Sequence, residues 1–303
     1  MNSLNHTSPS PPSCRLRVGT SGYSYPEWVD AGFYEPGTPA REMLSCYART
    51  FSVTELNYTW YQMPKAAAME RMVPRTPADF RFAAKLTRTL THEIDPHGWR
   101  GQATQFREGV APLVQARRLV AVLIQLPPSF DRIPDNRLYL SRLLDALEGL
   151  PLAVEFRHRS WVDERVFEGL HSRRVTLVAV DVPDLPHLFP ALDVVTNPDL
   201  LYLRFHGRNA RGWRSGNMQK QFDYDYSPDE LRTWSAVTLP KMAARARAGI
   251  IFFNNHVRAQ APRNARTLMA QLESQGFPSG VQGSKLMEHR TLTPEPQTIN
   301  HKP

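Results

Sequence analysis

Tyr202, Arg204, His206 and Arg208 occupy every second position of Leu201-Tyr202-Leu203-Arg204-Phe205-His206-Gly207-Arg208, opposite Leu201, Leu203 and Phe205. Strict alternation of this kind predicts a β-strand with one apolar face and one polar face. The polar face carries a phenol, an imidazole and two guanidiniums, groups that can grip an anion and move a proton. Seven more short apolar runs lie along the chain, and most become polar toward their carboxyl end. Glu55 and Asn57 close one, and Lys85, Gln125 and Asp181 each close another. Glu155 with Arg157 ends a further run, and Asn254 or Asn255 the last.

Brought to one place, three carboxylates (Glu55, Glu155, Asp181), the cations Lys85, Arg157 and Arg204, and His206 would shift one another's pKa values, as acid–base catalysis requires. The leading expectation is an enzyme of hydrolase or lyase type acting on a small anionic or polar substrate. Glu155 or Glu55 would serve as base and His206 as acid or shuttle, with Asp181 in the same catalytic set. Arg157, Arg204 and Arg208 would hold the anion, and Asn57, Asn254 and Asn255 would orient the substrate. Lys85 and Gln125 form a deeper layer, Tyr23 and Trp161 enter from loops, and His158 falls on the outward register as a structural residue. Two other readings stay open. The deep charges could be a neutralising salt-bridge layer, Glu55–Lys85 and Glu155–Arg204, which need not be catalytic. The basic-aromatic segment 208–226 (Arg211, Trp213, Arg214, Lys220, Tyr224, Tyr226) could be a lid or mark a nucleic-acid-binding or phosphodiester-cutting barrel, or the same mouth could only bind a ligand without catalysis.

Positioning these groups takes eight strands, expected at 16–22, 53–57, 81–86, 120–127, 152–158, 176–182, 200–207 and 249–256. Helical periodicity fills the gaps. Thr38-Pro39 reads as cap and first-turn proline, with Met43, Leu44, Tyr47 and Phe51 buried behind it. Further helices are expected from Pro64 and over 102–118, 135–150, 161–173 and 261–275. Phe106, Val110, Leu113 and Val114 face the core in one of these, and Leu140, Leu143, Leu144 and Leu147 in another. Ser227-Pro228-Asp229-Glu230 is a capping box opening a long helix to about residue 248. The proline-rich 183–192 is expected to hold one helical turn. Eight alternating strands and helices predict a single α/β domain over residues 15–278, a (β/α)8 barrel of TIM type, with an open doubly wound sheet as the runner-up. Catalytic groups in such barrels come from the carboxyl ends of the strands.

The 303 residues suit one such barrel with polar tails at 1–14 and 279–303. Two cysteines, Cys14 and Cys46, give no disulfide framework, and neither a signal-like start nor a membrane-span-length apolar run is present. A cytosolic protein is expected. The net charge of +8 permits acidic partners without demanding them. No glycine-rich nucleotide loop follows the first strand, so no cofactor is expected. No metal is expected either, because Lys and Arg crowd the carboxylates a metal would need.

Several motifs together resemble the YecE-like family, domain of unknown function 72. They are Val18-Gly19-Thr20-Ser21-Gly22-Tyr23-Ser24-Tyr25, Thr54-Glu55-Leu56-Asn57-Tyr58-Thr59-Trp60-Tyr61, Phe82-Ala83-Ala84-Lys85 through Thr91-His92, Gln125-Leu126-Pro127-Pro128-Ser129-Phe130, Val154-Glu155-Phe156-Arg157-His158-Arg159-Ser160-Trp161, Arg204-Phe205-His206-Gly207-Arg208 and Phe252-Phe253-Asn254-Asn255. The resemblance covers roughly residues 16–275. It implies a TIM-type barrel with these motifs at the strand ends, and it supplies no activity. Tyr58 and Trp60 stand where the family more often has a small residue and Phe, and 256–261 lacks an expected glycine.

Overall fold

In the computed structural model, which describes residues 14–277, eight parallel strands close into a barrel in chain order. They are β1 (Arg15–Ser21), β2 (Val53–Leu56), β3 (Arg81–Lys85), β4 (Leu119–Gln125), β5 (Leu152–Glu155), β6 (Thr176–Asp181), β7 (Leu201–Phe205) and β8 (Ala248–Phe253). β8 pairs back onto β1, as a (β/α)8 barrel of TIM type requires. The expected tails lie outside the described residues, except that Cys14 is buried at the foot of β1.

Helices form the outer layer for reasons readable in their sequences. Met43, Leu44 and Tyr47 on one face of Ala40–Tyr47 are buried against the strands, as is Phe51 just beyond it. Trp99–Gln115 buries Phe106, Val110 and Leu113, while Val114 turns to solvent at 41% exposure. Pro134–Ala146 buries Leu140, Leu143 and Leu144. Ser227 and Glu230 make both halves of the capping box that opens Pro228–Thr233. That helix does not run on evenly. It passes through a π-turn at Trp234–Thr238 into Leu239–Ala243, where Pro240 has no N–H to offer the preceding turn.

Two local expectations are corrected. Thr38 does not cap its helix: its hydroxyl donates to the Glu35 carbonyl, and extended Pro39 is the capping position. The connection 182–200 holds no helical turn, because prolines at 183, 186, 190 and 198 interrupt it. It runs along the mouth as irregular chain with turns, bridging to His158 through Leu188.

Strand pairing fixes which side chains enter the barrel, since paired residues of parallel neighbours share a face. Ser21 pairs with Glu55, Gln125 with Glu155, and Val180 with Arg204, which pairs in turn with Phe252. The inner layer therefore carries Ser21, Glu55, Lys85, Gln125, Glu155, Val180, Arg204 and Phe252 around its upper end. Asp181 pairs with Phe205 instead, on the face turned to the helices.

Candidate functional site

Arg204 sits at the centre of the barrel's upper layer, 1% exposed. Its Nη2 donates to Glu55 Oε1 at 2.7 Å and its Nη1 to Glu155 Oε2 at 2.6 Å, so one guanidinium joins β2, β5 and β7. Tyr202, one turn of the pleat below, donates its hydroxyl to Glu55 Oε2 at 2.5 Å. Arg157 Nε approaches Glu155 Oε1 at 2.5 Å, off the N–H axis, as an ion pair. Burial works against the charge of Arg204, but Glu155 and Glu55 overcome it and raise its pKa above the ordinary value. Burial would likewise raise the Glu155 carboxyl, yet Arg157, Arg204 and His206 hold it well below the usual range. The half of the salt-bridge reading that pairs Glu155 with Arg204 describes this layer. Glu55 pairs with Arg204 and not with Lys85.

His206 continues the same face and is fully buried. Asn254 Nδ2 lies 3.1 Å from its Nδ1, and its Nε2 lies 3.2 Å from both Glu155 Oε1 and Arg157 Nη2. Burial and Arg157 lower its pKa to about 3 despite Glu155, so the ring is neutral near pH 7.

Above this layer opens a chamber of about 660 Å³. Lys85, Gln125, Arg157, Asn57 and Asn254 reach it from the strand ends. Tyr25, Trp60 and His92 wall it from the connections after β1, β2 and β3, and Leu185, His187 and Leu188 from the irregular connection after β6. Two short helices, Ala210–Arg214 and Met218–Gln221, roof it through Trp213, Met218 and Phe222. The Arg157 guanidinium lies 5.2 Å from the Trp213 ring centroid, and Lys85 Nζ 4.8 Å from that of Trp60. Asn57 Oδ1, Trp60 Nε1 and Trp213 Nε1 are buried without a hydrogen-bond partner among the described residues. Burial and the nearby Arg204 lower Lys85 to about 7, with Glu55 and Glu155 pulling the other way. Burial, Lys85 and Arg157 bring His92 to about 4.

Lys85, Asn57, Gln125, Arg157 and Asn254 thus meet in one mouth, with Glu55, Glu155, Arg204 and His206 packed as its floor. The expected base and acid lie in that floor. Glu55, Glu155 and His206 are each 0% exposed and turned onto their own partners, so none of them faces the chamber.

Five further expected site residues lie elsewhere. Asp181 faces outward, where Arg208 Nε and Nη2 bind it at 2.9 and 2.6 Å. The Tyr226 hydroxyl and Trp234 Nε1 each donate to it at 2.7 Å. β6 is apolar on both faces, as buried parallel strands are, so alternation in it carries no direction. Arg208 leaves the inner face because Gly207 turns the chain at φ +86°, a conformation that suits glycine. Trp161 is stacked between Phe156 and Phe130 and donates to the Phe130 carbonyl, away from the chamber. Tyr23 packs toward Tyr47, and its carbonyl accepts from the Tyr34 hydroxyl. Asn255 is the outward asparagine, donating to the Tyr224 carbonyl and to Asn264 Oδ1.

Tyr25, Trp60, His92, His187 and Trp213 are among the chamber residues that strand alternation misses, because they come from the connections between strands and not from the strands. The aromatic clusters after β1 and β2 and the 208–226 segment were the available signals. His187 had none.

The family model described as "Protein of unknown function DUF72" matches residues 17–285. The chain belongs to this family. It is 27% identical over 273 residues to the UPF0759 protein YunF of Bacillus subtilis (strain 168), covering 85% of this chain and 95% of that protein. It is 31% identical over 172 residues to the UPF0759 protein YecE of Escherichia coli (strain K12), covering 55% and 59%. Among solved structures, a DUF72 family protein from Thermotoga maritima MSB8 superposes with a TM-score of 0.77 at 34% identity, covering 86% of this chain and 99% of that one. One from Enterococcus faecalis V583 gives 0.77 at 27% identity, covering 85% and 95%.

Among the described residues, no group of three or more His, Cys, Asp or Glu side chains is arranged to hold a metal ion. No helix among them is long and apolar enough to cross a membrane.

Proposed function

We propose that this DUF72 barrel is an enzyme that binds a small anionic or polar substrate in the chamber at the carboxyl ends of its strands. One observation carries the reading. The carboxylates of the upper layer are turned inward onto Arg204, while Lys85 and the outer edge of Arg157 face a roofed chamber. Such a chamber is electropositive and partly dry, the condition under which a guanidinium holds an anion firmly. Arg157 is the anchor, and Asn57, Gln125 and Asn254 supply amide contacts. Proton transfer falls to groups that face the chamber, foremost Lys85, since a base is effective when its pKa lies near the working pH. A chamber of about 660 Å³ under an aromatic roof suits a metabolite better than a nucleic-acid duplex.

The test is a melting series with phosphate, sulfate, small carboxylates and sugar phosphates, run on the parent and on Arg157→Gln. Stabilisation of the parent by a small anion, lost in Arg157→Gln, supports the reading, and turnover of the stabilising compound establishes the enzyme. No anion response, or an equal response in both proteins, sinks it. Tight binding of oligonucleotides that collapses with rising salt would favour the nucleic-acid alternative.

A further inference from the structure

Lys85 Nζ makes no ion pair and no hydrogen bond among the described residues, although two glutamates lie in the same layer. Both are turned away from it, Glu55 onto Arg204 and Tyr202, and Glu155 onto Arg204 and Arg157. The backbone under the lysine is fixed, since Thr59 Oγ1 donates to its carbonyl at 2.6 Å. Its stem rises from the end of β3 to place the amine over Trp60, which meets His92 edge-on at 5.0 Å. The charged and titratable groups around the amine are Glu55 from β2, Glu155 and Arg157 from β5, Arg204 from β7, and His92 from the loop after β3. Their combined effect with burial favours the uncharged amine. A lysine kept only to attract anions would be better left charged. An amine desolvated beside other cations is instead the usual state of a lysine nucleophile.

We propose that Lys85 is a covalent nucleophile that forms an imine with a small aldehyde or ketone bearing an anionic group, the anion resting on Arg157. The nitrogen lone pair adds to the carbonyl carbon to give a carbinolamine. The C–O bond then breaks as the C=N bond forms, and both amine protons leave with the carbonyl oxygen as water. Protonated from solvent, the imine becomes an electron sink for the loss of a neighbouring proton or carbon–carbon bond. This deepens the proposed function, because it rests on the chamber being the reaction site, and it names a substrate class.

The experiment is reductive trapping of the full chain with pyruvate, glyoxylate or glyceraldehyde 3-phosphate and cyanoborohydride at pH 7, read by intact mass and peptide mapping. The expected adduct adds the probe's mass less one oxygen and maps to Lys85. Lys85 should react on the order of a hundredfold faster than Lys65, Lys220 or Lys241, because an ordinary lysine is almost wholly protonated at that pH. Lys85→Met, checked for folding by its melting curve, should lose the fast adduct. Labelling of Lys85 no faster than of the other lysines overturns the proposal even if the variant fails to fold, because the mapping uses the parent. The two readings separate cleanly. Anion stabilisation through Arg157 without a Lys85 adduct would leave the binding chamber standing and remove the nucleophile. A fast Lys85 adduct that neither phosphate nor Arg157→Gln slows would keep the nucleophile and remove the anion anchor.

Discussion

Arg204→Met removes the guanidinium that Glu55 and Glu155 share while keeping most of the side chain's volume. After the change Glu155 keeps Arg157, whereas Glu55 keeps only the Tyr202 hydroxyl. One carboxylate with 0% exposure is then left without a counter-ion. Breaking a buried pair from one side costs about 3–5 kcal/mol. In a domain of this size each kcal/mol is worth roughly 2–4 °C, so the melting temperature should fall by on the order of 10 °C. The pH dependence separates a stranded charge from lost packing. A carboxylate without its partner takes up a proton more readily, which relieves the penalty, so the gap between variant and parent should narrow from pH 8 to pH 5. Adding Glu55→Gln to Arg204→Met should recover about half of the loss, since the double variant buries no stranded charge. Denaturant unfolding of the three proteins at several pH values measures all of this. A gap below about 1 kcal/mol, or one that does not change with pH, would refute the reasoning.

Acidification should destabilise the parent steeply. His206 is held at about 3 in the folded chain against 6.5 when exposed, so the unfolded chain binds the extra proton between those values and stability falls as pH drops through that window. Glu155, held below its ordinary value, adds to the loss below about pH 4.5. His206→Asn should flatten the pH 6.5 to 5 part of the curve by up to about 1.4 kcal/mol per pH unit, and an unchanged slope would contradict a neutral buried imidazole. Lys85 works in the same sense at higher pH. Its folded value of about 7 means that burying the charge costs stability fully below pH 7, with relief up to about 10.5. Lys85→Met should therefore be more stable than the parent by about 1–3 kcal/mol at pH 6.5 and nearly equal to it at pH 10, allowing for the amine's residual exposure; equal melting temperatures at both pH values would show the amine to be well solvated. Asp181→Asn should weaken the bidentate Arg208 pair and free the roof, so that trypsin cuts at Arg211, Arg214 or Lys220 several-fold faster at unchanged secondary structure. Unchanged cutting would mean that the pair does not hold the roof.

The barrel was legible because its signals repeat. Eight apolar runs at near-regular spacing leave few other architectures, and the capping box at Ser227 needs only two side chains. β2, β5 and β7 were legible residue by residue, since Glu55, Glu155 with Arg157, and Arg204 with His206 alternate against apolar partners. β6 was not, because Thr176–Asp181 is buried on both sides and its one carboxylate looks alike on either face. Arg208 was lost to a single glycine, as alternation ends where φ turns positive at Gly207. The division between floor and chamber was also hidden. Spacing says that Glu155 and Arg157 point inward, but not that the arginine would fold back over the carboxylate. Contacts made from loops, such as His187 and Trp213 on the chamber, depend on how the chain crosses the mouth, which has no period to read.

The segment 208–226 leaves the barrel and returns to it at one carboxylate, with Arg208 on one oxygen pair of Asp181 and Tyr226 on the same group. Asn209 draws the interior together by donating to the Lys220 and Asp223 carbonyls and accepting from the Gly212 N–H. A segment whose two ends are clasped at one point passes little of its length on to the strands, since each doubling of a loop costs only about 0.6 kcal/mol. Its interior is then a graft on a fixed stock. Met218 and Phe222 could be exchanged for other residues, and the span lengthened or shortened, while β6 and β7 stayed as they are; Trp213, which lies over Arg157, is the one roof residue tied to the charged layer beneath. A lineage that kept Asp181, Arg208 and Tyr226 could change what enters the mouth one roof at a time.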